Sequence, residues 1–237
     1  MAFRRSRKRT FRRKARRRYK ARPRRSIGMA NFIKSQSSDS PFPNKLPFRL
    51  EYADMIRYNA VFASHQWQMN SIYDPDKTGG GHQPLGRDNY AAIYNNYTVT
   101  GFRYKITIMP TSSEQIMYCV MPQGTNAAGP SDSAGLYTAI ERSKMTRWGF
   151  IAPQSVASKP TTLRGKVKIR DILGQTKTKF IGDDNNSAGF GSDPVNNPYF
   201  NITLCSSDFT ATMTADVVIE FVFYGYAWRP NTLTTQQ

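Results

Sequence analysis

The chain has 237 residues, enough for one large domain with tails, and sets 34 Lys and Arg against 16 Asp and Glu, a formal net charge of +18. No run approaches the ~18 apolar residues of a membrane span, no apolar stretch follows the basic start as it would in a secretory leader, and two cysteines, Cys119 and Cys205, do not make a disulfide scaffold. The expectation is a protein that folds in a reducing, intracellular compartment and does not insert into a membrane.

The charge is concentrated at one end. Residues 1–25 hold fifteen basic side chains and no acid: Arg4, Arg5, Arg7, Lys8, Arg9, Arg12, Arg13, Lys14, Arg16, Arg17, Arg18, Lys20, Arg22, Arg24 and Arg25. The other 212 residues keep nineteen basic and sixteen acidic groups, a surplus of three. Like-charge repulsion and the lack of apolar surface predict a disordered arm. Its chemistry is sequence-independent phosphate binding, and twelve of the fifteen are Arg, whose guanidinium takes phosphate bidentately. Such tracts are also read by nuclear import receptors. Phe3, Phe11 and Tyr19 each open a block of eight residues, which suits base stacking between phosphate contacts, although a low-complexity tract produces such spacing by composition alone.

Residues 26–45 are rich in Ser, Pro and Asn and read as a linker. The folded body is expected over 46–230, with 231–237 as a C-terminal tail. Strands are expected at Phe48–Tyr58, Tyr97–Met109, Gln115–Met121, Met145–Ile151, Thr162–Ile172, Thr176–Ile181, Tyr199–Ser206 and Asp216–Trp228, and a short helix at Leu136–Arg142. The last strand sets Val217, Ile219, Phe221 and Phe223 against Asp216, Glu220 and Tyr224, the two-residue period of a half-buried strand. About eight strands without strand–helix alternation predict an all-β sandwich or barrel. Three long connections, 63–96, 122–144 and 182–198, are candidate recognition segments.

An Arg-rich start, a Pro/Ser linker and an eight-strand body, in that order, resemble the capsid proteins of small circular single-stranded DNA viruses that encode a replication initiator, the circovirus-like group. Three stretches share the resemblance: 73–101 (YDPDKTGGGHQPLGRDNYAAIYNNYTVTG), 159–174 (KPTTLRGKVKIRDILG) and 217–231 (VVIEFVFYGYAWRPN). The resemblance implies an eight-stranded viral jelly roll and self-assembly into a closed icosahedral shell of about sixty copies. It further implies a packaged single-stranded DNA genome and nuclear import through the arm, with residence expected in the virion and, during assembly, the host nucleus; the sequence names no host-cell attachment factor. Sixty such arms would neutralise on the order of 900 nucleotides. A near-neutral body also fits a shell, since sixty bodies of high like charge would repel at every contact.

Beyond the arm, Arg164, Lys166, Lys168 and Arg170 share one parity, as do Arg103 and Lys105. In strands each set lies on one face. Such faces either line the interior wall of a shell and extend the arm's field, or are ordinary solvated strand faces. Trp67, Tyr90, Tyr94 and Tyr97, in and beside the longest loop, are candidate subunit contacts. No catalytic set is expected. His65 and His82 lack zinc spacing, no phosphate-loop lysine or nucleophile elbow occurs, and the Asp74–Gly79 stretch has Leu85 where a calcium loop needs an acid. Neither a metal nor a cofactor is implied. Two other classes fit the composition: an RNA-virus jelly-roll coat protein, and a non-assembling cellular β-barrel that binds nucleic acid with a basic tail.

Overall fold

A computed structural model describes residues 42–78, 80–142, 144–154 and 159–231. The strands are β1 (Lys45–Ala60), β2 (Phe62–Gln68), β3 (Tyr94–Pro110), β4 (Ile116–Gln123), β5 (Arg147–Ile151), β6 (Thr161–Lys168), β7 (Ala188–Gly189), β8 (Tyr199–Ser206) and β9 (Met213–Pro230). Among the described residues, four short α-helices, α1 (Arg87–Ala91), α2 (Ser133–Arg142), α3 (Ile169–Ile172) and α4 (Lys177–Gly182), and a 3-10 turn at Asp184–Asn186 lie in the connections.

The strands form two antiparallel sheets, β1-β9-β3-β6 with the two-residue β7 on β3, and β2-β8-β4-β5. The pairing is nested: β1 takes β9, β2 takes β8, β3 takes β6 and β4 takes β5. One long antiparallel ribbon with the β4–β5 connection at its tip, rolled so that its pairs fall into two sheets, is the jelly roll. The fold class is thus all-β, an eight-stranded jelly-roll sandwich.

Alternation builds the core. Phe48, Leu50 and Tyr52 of β1, Phe102, Tyr104 and Ile106 of β3, and Val217, Ile219, Phe221 and Phe223 of β9 point inward. Phe200, Ile202 and Leu204 of β8 meet them from the second sheet. At the centre Phe221 touches Phe102, Phe200 and Trp67, with ring centroids 4.8, 5.5 and 5.4 Å away. Each such side chain contributes about 1.5–3 kcal/mol of burial. On the other side of the second sheet, Met117, Cys119 and Cys205 pack beneath Leu136 and Ala139 of α2. Both cysteines are free.

Three expected elements differ. Thr176–Ile181 is helical, not a strand: Thr176 Oγ1 accepts from Lys179 N at 3.3 Å as an N-cap, and of α4 only Phe180 is buried. The expected strand Thr162–Ile172 ends at Lys168, where the chain turns into α3. Phe62–Gln68, expected as loop beyond residue 62, is β2, an edge strand held by seven register pairs to β8.

Candidate nucleic-acid interface

The outward face of the β1-β9-β3-β6 sheet carries the densest charge among the described residues. Antiparallel register places Arg103 opposite Lys166 and Lys105 opposite Arg164, with Lys168 opposite Gly101. Like charges directly opposite on a sheet are destabilising. The Arg103–Lys166 pair therefore works against the fold, whereas Lys105 of the second pair is engaged by Glu220. Arg49 of β1 joins them across β9, opposite Tyr224.

Acids on this face are few and engaged. Glu220 takes Lys105 Nζ at 2.5 Å, Asp216 takes Arg57, and Glu51 takes Arg49. Arg103, Arg164, Lys166 and Lys168 are exposed and have no carboxylate partner among these pairs. Beside Arg103 and Arg164 lies a trough of about 670 Å³, lined in part by Arg49, Arg103, Lys105 and Arg164 together with the acids Glu51 and Glu220. A second hollow of about 420 Å³ wraps the β6 edge, with Lys144, Arg147, Lys166 and Lys168 facing a single acid, Asp171. Arg147 Nη1 donates to Arg164 O at 2.7 Å and so ties the edges of the two sheets together there. Partial burial pushes the Tyr224 hydroxyl pKa up. Hydrogen bonds from Arg103 and Arg49 outweigh it and hold the pKa below the ordinary tyrosine value.

Of the residues singled out from sequence, Arg103, Lys105, Arg164, Lys166 and Lys168 come together on this face. Arg170 does not. It lies in α3 beside Asp171, Nε to Oδ1 3.3 Å, because the strand ends two residues earlier. The fifteen basic residues of 1–25 lie outside the described residues. Three expected subunit contacts are corrected: Trp67 and Tyr97 are 0% exposed and Tyr94 is 1% exposed, so they have no surface to give a neighbour. Their bulk is spent inside the subunit, where Tyr97 donates to Ser192 O and Tyr94 to Pro43 O. Tyr90 stays half-buried, edge-on to Phe48 at 5.8 Å. Sequence reasoning missed Lys45 and Arg49 and gave no role to Tyr226 and Trp228. The signal was present in the alternation Y-G-Y-A-W over 224–228.

Among the described residues, no group of three or more His, Cys, Asp or Glu could hold a metal ion. No helix there is long and apolar enough to cross a membrane. His65 and Asp76 form a contact of 2.8 Å that pins the β2–α1 connection.

Fold and face together define a jelly-roll domain with one strongly basic sheet surface. No protein-family model matches the chain. No curated protein matches it either. Among solved structures, the chain is similar to an empty head of turnip yellow mosaic virus, at 11% identity and a TM-score of 0.42 over 85% of this chain and 90% of that one. It is also similar to a semi-empty virus-like particle of the giant freshwater prawn Macrobrachium rosenbergii nodavirus, at 10% identity and 0.41 over 81% and 99%. A third is the decameric BFDV capsid protein, at 9% identity and 0.38 over 78% and 99%. The jelly-roll assignment rests on the strand order of this chain itself.

Proposed function

We propose that this protein is the shell-forming subunit of a small virus, which assembles into a closed homo-oligomeric particle and packages single-stranded DNA through the arm of residues 1–25. The observation that carries the reading is the partition of charge. Fifteen cations without an acid precede a jelly-roll body whose surplus is three. The arm condenses phosphate without reading sequence. The near-neutral body can approach copies of itself. The basic sheet face then forms the interior wall, continuing the field of the arms, while the other surfaces are left for subunit contacts and host attachment. The reading involves no enzymatic step and no cofactor. The basic blocks of the arm also serve as the nuclear import signal, and the protein passes through the host nucleus before it resides in the virion. The choice of DNA over RNA rests on the sequence resemblance.

Replacing the fifteen Lys and Arg of residues 4–25 by Gln tests the reading. Particles of the unaltered chain are expected to hold nucleic acid that a DNase destroys and an RNase spares, and the substituted chain is expected to lose most of it. Full nucleic-acid content without the arm's charge would overturn the mechanism, and RNase-sensitive content would move the protein to the RNA-virus class.

A further inference from the structure

The outward row of β9 changes character at Tyr224. Before it, Asp216, Val218, Glu220 and Val222 face outward, and both acids are engaged by cations. From Tyr224 onward the outward positions are Tyr224, Tyr226 and Trp228, three aromatics at every second residue and so about 7 Å apart. Their register partners on β3 are Gly101, Thr98 and Asn96, and Tyr226 meets Pro47 on β1. On β1, Arg49 and Lys45 stand opposite Tyr224 and Trp228, so the neighbours of the row are cations and small or polar residues.

Each ring has a cation at hand. Lys45 Nζ lies 3.3 Å from the centroid of Tyr226, the Arg229 guanidinium 4.6 Å from that of Trp228, and Lys166 Nζ 5.8 Å from that of Tyr224. We infer that this aromatic row stacks unpaired bases while the surrounding cations hold their phosphates, so that the ligand of the basic face is single-stranded rather than duplex nucleic acid. The inference deepens the packaging reading above and rests on it. Stacking platforms flanked by a basic groove are the general device for single strands, because every base has a π-face and only an unpaired one can present it. The exposed cation–ring contacts are the weaker interaction. The flexible Lys and Arg heads can lift from the rings to phosphate when a base arrives. A copy of the same face is a poor alternative partner, because its unpaired cations would repel their own kind.

The test uses the full-length chain and two fluorescent strands of equal length, an oligothymidylate and an abasic strand. The arm is the same in the unaltered chain and in a variant of the row, so the change in the ratio of the two affinities reads base stacking at the row. The variant Tyr224→Leu, Tyr226→Leu, Trp228→Leu is expected to lose about 100-fold on the oligothymidylate, about fivefold or more per ring. Its affinity for the abasic strand and its salt slope should stay unchanged. Equal loss on both strands, or none on either, overturns the inference. Ultraviolet cross-linking of the unaltered chain to a strand containing 5-iodouracil does not depend on the variant folding. Cross-links within residues 224–228 are expected, and cross-links confined to the arm would contradict the inference. If particles form around nucleic acid yet the affinity ratio does not move, only this inference falls. If neither strand binds, the packaging reading falls with it.

Discussion

Arg57 and Asp216 close a two-pronged ion pair on the outward face of the first sheet, Nε to Oδ1 2.7 Å and Nη2 to Oδ2 3.0 Å. The pair sits across β1 and β9 in direct register. Together with Lys105–Glu220 it engages two of the acids of the face, and the cations Arg164, Arg103, Lys166 and Lys168 lie from the Lys105 row onward, away from Arg57. The basic face is thus bounded on one side by engaged acids.

The same pair sets an acid limit. Hydrogen bonding from Arg57 holds the Asp216 carboxyl below its ordinary value, against a smaller upward push from burial. Asp208 is also depressed, by the Ser206 hydroxyl and then by the Ala211 and Thr210 amides. A carboxyl whose pKa is lower folded than unfolded adds stability above the unfolded value, near pH 4, and loses it as pH falls through the folded one. The urea midpoint is therefore expected to hold from pH 7 to pH 5 and to decline below about pH 4. Asp216→Asn should lower it at pH 7 and converge with the unaltered chain at the acid end.

Asp76 organises the β2–α1 connection. It is 3% exposed and accepts from His65 Nε2 at 2.8 Å, Thr78 N at 2.9 Å and Thr78 Oγ1 at 2.7 Å. Hydrogen bonds to a charged acceptor are worth about 1.5–3 kcal/mol each, part of which water replaces in a loosened loop. Asp76→Ala should cost about 2–4 kcal/mol in urea unfolding and raise protease cleavage between residues 73 and 86.

Two glycines are fixed by close approach. A Cβ on Gly225 would stand 2.2 Å from the Thr98 carbonyl oxygen, part of a backbone that cannot swing aside. On Gly165 it would stand 2.2 Å from the Tyr104 ring, which lies across that position. Gly225→Ala is expected to destabilise by about 3 kcal/mol or more. Gly165→Ala should cost less, because a ring can shift where a peptide cannot. Thermal unfolding of the two variants side by side checks the order.

Cys119 and Cys205 are buried beneath α2, and burial pushes both thiols up to about 11. At pH 8 almost no thiolate is present, and the sulfurs are shielded as well. Iodoacetamide should leave both unmodified in the native protein and alkylate both in 6 M guanidinium, as read by mass spectrometry. Rapid native labelling of either would show that α2 opens readily.

The strands that sequence reading found are those whose physics is local. In β3 and β9, apolar and polar residues alternate over many positions, and the first sheet buries mainly one side of these two strands. β2 escaped because its sequence, FASHQWQ, is polar, and its partners are distant. His65 is satisfied by Asp76, and Gln66 Nε2 by Ala127 O at 2.9 Å. α4 escaped because T-K-T-K-F-I alternates like a strand, while its N-cap and single anchor, Phe180, decide for a helix. The basic face was half legible. Parity placed Lys166 with Lys168 and Arg103 with Lys105, but only register sets the two pairs against each other. The placing of Trp67, Tyr94 and Tyr97 failed for the converse reason: aromatics beside a long loop suit a subunit contact and a core equally well, and burial is a tertiary property.

The central claim is that this chain closes a shell around nucleic acid. Sedimentation of the purified full-length protein, with absorbance read at 260 and 280 nm across each boundary, addresses it most directly. The account predicts a fast, homogeneous boundary with excess 260 nm absorbance. A slow boundary of monomer or dimer size, unchanged when single-stranded DNA is added at low salt, would contradict it and leave a non-assembling binding protein.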